Sequence, residues 1–192
     1  KLTGGKVHAI SASNASVTGS YDLVNDEWYG QWLDFLGIPL AMFPEVQDDS
    51  GDFGVTDPAL FGVEIPITSS IADQHSALFA QGCFEPGTVK CTHGTGTFLD
   101  MNIGSKLAIS GNGLNTIIAW RMKGKTIYGL EGYAAVTGSA VQWLRDGAHM
   151  IESSSDTESL ATSVPDNGGV YFVPALTGLS APYWDSFARG MI

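Results

Sequence analysis

The fold is decided by two stretches of the chain, Ser69-Ser70-Ile71-Ala72-Asp73-Gln74-His75-Ser76-Ala77-Leu78-Phe79 and, after a short spacer, His93-Gly94-Thr95-Gly96-Thr97-Phe98. The first predicts a helix that is capped by Ser69 or Ser70 and runs toward Gly82, with the Asp73 carboxylate in its opening turn. The second predicts a threonine turn flanked by glycines, which lets backbone N–H groups approach the oxygens of an anion.

Each stretch admits two interpretations. Asp73 is favoured in its ionised form by the helix dipole and could accept a proton from a substrate hydroxyl, with Gln74 bonding a polyol beside it. From its local context alone, it is more often a surface carboxylate that compensates the dipole. The Gly94-Thr95-Gly96 turn could bind phosphate or be an ordinary hairpin. Taken together, a base and a phosphate turn predict phosphoryl transfer.

The regular elements follow from periodicity and turn signals. A helix is predicted from about Asp26 to Leu36, capped by Asn25 or Asp26, and residues 44–64 are predicted to be an irregular connection. The β segments are Val63–Ile67, Thr88–Thr92, Thr97–Ile103, Leu114–Trp120, Thr126–Leu130 and a buried Val170–Val173, with four of them forming an antiparallel meander and Met122–Lys125 as a hairpin turn. Helices are predicted from Ala134 to Asp146 and after Ser155, where Glu158 would complete a capping box.

Composition excludes several classes of function. The 192 residues carry a net charge of -11 and 44% hydrophobic residues, which is typical of a folded protein and disfavours nucleic-acid binding. Two cysteines are too few for a disulfide framework, so a reducing, cytoplasmic location fits best. The sequence contains no run of eighteen apolar residues, and Lys1–Lys6 lacks the apolar core of a signal peptide, so no membrane partner is expected. His93 has no partner at metal-ligand spacing.

Gly138 is unusual because glycine in a helix interior costs about 1 kcal/mol relative to alanine. Something is therefore expected to approach the backbone at this position. A packed helix would explain the glycine as well as a nucleotide would. The segment Pro174–Asp185 is too rich in glycine and proline to form a regular element, and its aromatic end is expected to pack against a neighbouring domain.

Five motifs occur together in one order and spacing: Ile71-Ala72-Asp73-Gln74, His93 to Phe98, Leu130-Glu131-Gly132, Gly138 to Asp146, and Val173 to Asp185. In this order and spacing the chain resembles the FGGY carbohydrate kinases over its whole length. The sequences of Gln142–Asp146 and Leu179–Asp185 are most similar to those of the glycerol-phosphorylating members of that family.

The resemblance implies an α/β protein with the actin-like ATPase (ribonuclease H-like) fold, in which two domains close over ATP and sugar. Residues 1–81 would be the end of the first, substrate-side domain and residues 82–192 the beginning of the second, nucleotide-side domain. Both ends look cut, so an internal fragment is expected. The family's first phosphate loop and its adenosine-binding glycines would lie outside this piece, which alone should be a poor kinase.

The resemblance also implies the site. Asp73 would be the general base, Gln74 and Phe98 would contact the polyol, and the nucleotide would be bound by Gly94, Thr95, Gly96, Gly138 and Gln142. Mg²⁺ would bridge the phosphates of ATP without a dedicated protein metal site. The expected partner is a small polyol or sugar, with a homo-oligomer possible. Two alternatives stay open: a kinase of a ketose or sugar acid, and a non-catalytic kinase-like fragment.

Overall fold

The computed structural model describes all 192 residues, which divide into two compact units. The first unit comprises Lys1–Lys90, Asp100–Ile109 and Thr116–Leu130, and the second comprises Cys91–Leu99, Ser110–Asn115 and Glu131–Ile192. Because the chain passes between the units several times, the predicted boundary at residues 81 and 82 stays a prediction. None of the six helices combines the length and apolar character needed to cross a bilayer.

Fourteen helices and strands follow one another, with one 3₁₀ turn at Leu40–Met42. They are β1 (Ala9–Ser11), α1 (Ala12–Ser16), β2 (Tyr21–Asp22), β3 (Glu27–Trp28), α2 (Gly30–Leu36), β4 (Glu45–Gln47), α3 (Pro58–Phe61), α4 (Asp73–Ala80), β5 (Val89–His93), β6 (Thr97–Gly104), β7 (Asn115–Met122), β8 (Lys125–Ala134), α5 (Gly138–Asp146) and α6 (Asp156–Thr162).

The largest sheet has the strand order β5-β6-β8-β7, which confirms the four β segments predicted between Thr88 and Leu130. The hairpin turn between β7 and β8 is also confirmed, since Lys123 and Gly124 adopt the positive φ values of 52° and 69° that such a tight turn needs. The predicted meander is wrong, because β8 lies between β6 and β7. Residues 105–114 form a connection long enough to leave room for the inserted strand, whereas a two-residue turn would force adjacency.

Two smaller pairings complete the sheets. Strands β1 and β4 pair in parallel with Ile10 opposite Val46, and β2 and β3 form a short antiparallel hairpin with Tyr21 opposite Trp28. The hairpin explains why α2 begins at Gly30 and not at Asp26. The Asp22 carboxylate accepts hydrogen bonds from the backbone of Val24 and Asn25, and this turn competes successfully with helix formation.

The core of the first unit fixes the position of α4. Leu78 of this helix is fully buried in a cluster with Ala119 and Trp120 of β7, and Cys83 closes the cluster just after the helix. Partly buried apolar side chains cover the cluster, namely Ile71, Phe79 and Ile127. Burying these side chains removes apolar area from water, so α4 is held against the sheet by its inner face.

A buried polar network holds the chain that leads into α4. Asp49 is only 4% exposed, and its Oδ1 accepts hydrogen bonds from the backbone N–H and the hydroxyl of Ser13. Its Oδ2 accepts from the backbone N–H of Arg121 at 2.6 Å, and the Ser13 Oγ in turn accepts from the Ala72 N–H at 3.1 Å. Burial raises the pKa of Asp49, and these hydrogen bonds oppose the rise.

Replacing Asp49 by Asn should destabilise the intact protein by roughly 1 to 3 kcal/mol. The amide removes a buried charge, but it sets an NH₂ donor against the Arg121 N–H, which already needs an acceptor. Thermal unfolding of D49N beside D34N, a change at an exposed helical carboxylate, measures the effect. If the D49N protein has the same melting temperature as the wild type, the network is not needed for stability.

Two predictions about helix starts are wrong in detail. Helix α5 begins at Gly138 and not at Ala134, because β8 continues through Ala134. Ser155 does lie at the N-cap of α6, but no side-chain capping bond forms there. The Asp156 carboxylate instead accepts from the backbone N–H groups of Glu152 and Ser153, which occupies that end of the helix in place of the predicted capping box.

The segment Val170–Val173 is not a buried strand. Val170 is 60% exposed and Tyr171 is 76% exposed, and the only pairing is a single bridge between Val173 and Met191. An apolar run becomes a buried strand only where other strands flank it, and within this chain none does. The irregular conformation of the following Pro174–Asp185 segment is confirmed, and the Trp184 indole donates a hydrogen bond to the Gly113 carbonyl at 2.6 Å.

Candidate functional site

Asp73 is the first residue of α4 and is exposed. Its place in the opening turn is confirmed, but the predicted serine cap is wrong, since Ala72 is the N-cap and makes no side-chain capping bond. The Asp73 Oδ1 accepts from the backbone N–H of Gln74 at 2.8 Å, and the Ser76 hydroxyl donates to the Asp73 carbonyl at 2.9 Å. The carboxylate is thus held at the positive end of a helix with solvent in front of it.

The side chain of Gln74 connects this carboxylate to a buried ion pair. The Lys90 ammonium donates to Gln74 Oε1 and lies 2.6 Å from Asp100 Oδ2, and the two charged side chains are 2% and 1% exposed. On its other side, Gln74 Nε2 lies 3.4 Å from Asp73 Oδ2. Lys90 and Asp100 are not among the residues predicted from the sequence. The signal in the sequence is the alternation of inward and outward side chains along each of the strands β5 and β6. This alternation places Lys90 and Asp100 at inward positions, where apolar residues are usual.

His75, next to these groups in sequence, is 2% exposed, and neither ring nitrogen has a hydrogen-bond partner in the chain. The pKa of His75 is lowered to about 4, chiefly by burial and also by the nearby Lys90 ammonium, while the Asp73 carboxylate opposes the change. The imidazole is therefore neutral near pH 7, which leaves Lys90 as the buried cation in this part of the first unit.

The burial of His75 predicts a loss of stability in acid. Between pH 6.5 and about 4 the unfolded chain binds a proton at this imidazole and the folded chain does not, so stability falls as the pH falls through that window. The full effect is roughly 3 kcal/mol. Melting temperatures of the intact protein between pH 7 and pH 4.5 should decline less steeply for His75→Leu than for the wild type. The control His8→Gln, at an exposed imidazole, should keep the wild-type slope.

In the second unit, the turn that joins β5 to β6 is tied to the start of α5. The Gly138 N–H donates to the Gly94 carbonyl at 3.1 Å, and the N–H groups of Thr137 and Ser139 both donate to the Thr95 carbonyl at 3.1 Å. No hydrogen bond of the chain uses the N–H of Thr95 or Gly96, or the Thr95 hydroxyl. The turn therefore keeps three donors for an external acceptor.

The two glycines at this junction are required by close packing. A Cβ on Gly138 would lie 2.3 Å from the Gly94 carbonyl oxygen, and a Cβ on Gly96 would lie 2.5 Å from the carbonyl oxygen of Ala134. Both distances are too short for any side chain. The group that approaches Gly138 is thus the backbone of the threonine turn.

Gly138 and Gln142, one helical turn apart on α5, line the same open groove of about 600 Å³ together with Val141, Arg145, Ser154 and Thr157. A groove of this volume is in the range that ligands occupy. The remaining predicted residue, Phe98, is half-buried and stacks on Tyr133 with the ring centres 4.4 Å apart. His93 Nδ1 lies 2.8 Å from Thr97 Oγ1, and no cluster of three or more histidine, cysteine or acidic side chains that could hold a metal is present.

The structure thus places the predicted residues in two groups. Asp73 and Gln74 belong to the first unit, whereas the threonine turn, Gly138, Gln142 and Phe98 belong to the second. Within the second unit the turn and Gly138 are in direct contact, although 42 positions separate Gly96 from Gly138 in the sequence. The roles of these residues in binding and catalysis stay predictions.

Comparison with known proteins gives the family. Residues 1–80 match the N-terminal domain and residues 89–192 the C-terminal domain of the FGGY family of carbohydrate kinases. The chain is 53% identical over 191 residues to glycerol kinase 2 of Thermotoga maritima and 48% identical over 192 residues to a glycerol kinase of Rhodospirillum centenum. All of this chain is covered in both comparisons, but it spans only 38% and 39% of those relatives' length.

Solved structures share the fold. Glycerol kinase from Plasmodium falciparum with ADP aligns over 95% of this chain and 37% of its own, with a TM-score of 0.83 and 34% identity. Gluconate kinase from Lactobacillus acidophilus aligns over 99% of this chain and 39% of its own, with a TM-score of 0.83 and 22% identity, which shows the fold alone. The α/β fold is that of the actin-like ATPases, as the motifs predicted. Matched by both domain models over most of its length, the chain belongs to the FGGY family of carbohydrate kinases.

Proposed function

We propose that the intact protein transfers a phosphoryl group from ATP to a polyol, and that the polyol is glycerol, which becomes glycerol 3-phosphate. The observation that carries this proposal is the exposed Asp73 carboxylate at the start of α4, held by the Gln74 N–H in a chain 53% identical to a glycerol kinase. An exposed carboxylate in this position can accept a proton from a hydroxyl group that binds against it.

In this mechanism Asp73 takes the proton from the attacking hydroxyl as the oxygen approaches the terminal phosphorus in line. General-base assistance of this kind contributes roughly 10²- to 10⁴-fold to the rate. Gln74 bonds a second hydroxyl, and Phe98 contacts the carbon skeleton. The remaining acceleration comes from positioning and from neutralising charge on the transferred group.

The threonine turn fits the phosphates of ATP. The unused N–H groups of Thr95 and Gly96 and the Thr95 hydroxyl supply three donors at an exposed turn, and such donors suit phosphate oxygens. Gly138 and Gln142 would line the nucleotide in the open groove on α5. Mg²⁺ bound with ATP would neutralise part of the phosphate charge, and no cluster of three or more histidine, cysteine or acidic side chains is present to hold the ion apart from the nucleotide.

Substrate-dependent release of ADP by the intact protein tests the proposal. Glycerol should give the highest kcat/KM when it is compared with xylulose and gluconate, the sugars named for structural neighbours of this fold. A preference for either sugar would assign the protein to another branch of the family. Absence of ADP release with all three compounds, from a protein that binds ATP, would overturn the polyol kinase assignment.

A further inference from the structure

The orientation of the Gln74 amide is fixed by chemistry. The Lys90 ammonium donates to Gln74 Oε1, and an ammonium group carries only donors. A flipped amide would set an NH₂ group against NH₃⁺, with two donors facing each other in a buried place. The oxygen of the amide is therefore committed to Lys90, and Nε2 lies on the side of Asp73, 3.4 Å from Oδ2.

Lys90 is itself held in place. Its side chain is 2% exposed and its ammonium lies 2.6 Å from Asp100 Oδ2. Movement of the ammonium away from this position would leave a buried carboxylate without its counter-ion, which is strongly destabilising. Lys90 lies on β5 and Asp100 on β6, whereas Gln74 lies on α4. The sheet thereby sets the direction of a side chain on the helix that carries the base.

We propose that Lys90 is a positioning residue for substrate recognition: it holds the Gln74 amide with Nε2 presented to Asp73 Oδ2 and to one hydroxyl oxygen of the polyol. This inference rests on the proposed function and adds a residue outside the site predicted from the sequence. Nε2 and Oδ2 lie 3.4 Å apart, a spacing that oxygens on neighbouring carbons can match. Glycerol, the proposed substrate, carries hydroxyls on neighbouring carbons, so one can reach Asp73 while the next reaches Gln74.

The double variant Lys90→Met with Asp100→Leu tests the proposal in the intact protein. Removing both charges together leaves no unpaired buried ion, so the fold should survive, and the melting temperature checks this. The KM for glycerol should rise roughly tenfold, because the amide can now rotate and loses its fixed donor. The KM for ATP should stay at the wild-type value, and glycerol should lose part of its advantage over 1,3-propanediol, which lacks the neighbouring hydroxyl.

Combining the double variant with Gln74→Ala distinguishes a positioning role of Lys90 from a purely structural role of the ion pair. If Lys90 acts through Gln74, then adding Gln74→Ala to the double variant raises the KM for glycerol no further. If the effects of Gln74→Ala and of removing the pair multiply, the pair acts independently and the inference is overturned. A double variant with the wild-type KM and the wild-type preference overturns it as well.

Two controls complete the experiment. Lys106→Met removes an exposed lysine and should leave both KM values unchanged. If the double variant does not fold, Lys90→Met with Asp100→Asn carries the same expectation, because it also removes both charges and leaves position 90 without a donor for Gln74 Oε1. Failure of the proposed function looks different, since a wild-type protein that phosphorylates no polyol, or an Asp73→Asn variant with full activity, would overturn the kinase mechanism whatever the Lys90 variants do.

Discussion

Asp73→Asn in the intact protein should lower kcat for glycerol by roughly 10²- to 10⁴-fold, the loss that accompanies removal of a general base. The amide is close to the carboxylate in size, and its oxygen can still accept the Gln74 N–H bond that Oδ1 accepts now. Helix α4 and its packing through Leu78 are therefore preserved. What disappears is the basic oxygen, so the chemical step is slowed while binding of ATP is kept. Steady-state ADP release and calorimetric titration with ATP measure the two quantities separately.

Asp34→Asn is the matched control for this experiment. It makes the same chemical change at an exposed carboxylate of helix α2 and should leave kcat unchanged. An Asp73→Asn enzyme that turns over glycerol at the wild-type rate would remove Asp73 from the mechanism. A variant that loses ATP binding and melts at a lower temperature would show that Asp73 is needed for the fold and not for proton transfer.

Gly138→Ala should lower kcat/KM for ATP by roughly 100-fold, because displacing a binding group by about 1 Å can cost that much. The new Cβ would lie 2.3 Å from the Gly94 carbonyl oxygen, so either α5 or the threonine turn must move. Movement of the turn shifts the free N–H groups of Thr95 and Gly96 away from their phosphate acceptors. The KM for glycerol should change little, because Asp73 and Gln74 are held by the core and polar network of the first unit.

Gly30→Ala is a close control because Gly30 is likewise the first residue of a helix. No atom lies within 4 Å of a Cβ built at that position, so this variant should bind ATP as the wild type does. If Gly138→Ala binds ATP with unchanged affinity, the junction of the turn and α5 takes no part in nucleotide binding. If both variants lose the same affinity, the effect belongs to glycine loss in general.

The sequence predicted those features that depend on neighbouring residues. The tight turn at Lys123 and Gly124 was identifiable because only a few residue types accept positive φ there. Asp73 was placed in an opening helical turn because apolar residues and a glycine mark where α4 lies. The strands between Thr88 and Leu130 were visible through their β-branched and aromatic residues.

Features that depend on distant residues could not be predicted. Nothing near Ala72 indicates that its N–H is bonded by the Ser13 hydroxyl, so a nearby serine was assigned as the cap. Lys90 and Asp100 were overlooked because a buried ion pair is unusual in a strand and leaves only an interrupted alternation. The insertion of β8 between β6 and β7 is likewise a property of the whole sheet and not of any one segment.

The network around Ser13 bears on the order of events during folding. The hydrogen bond from Ala72 to Ser13 joins residues 59 positions apart, and the bond from Arg121 to Asp49 joins residues 72 positions apart. Contacts between such distant segments require large loops to close, so they form slowly. Helix α4 can therefore begin to form early from its local sequence. The Asp73 carboxylate at its N-terminus is fixed in direction only after the last of these loops has closed.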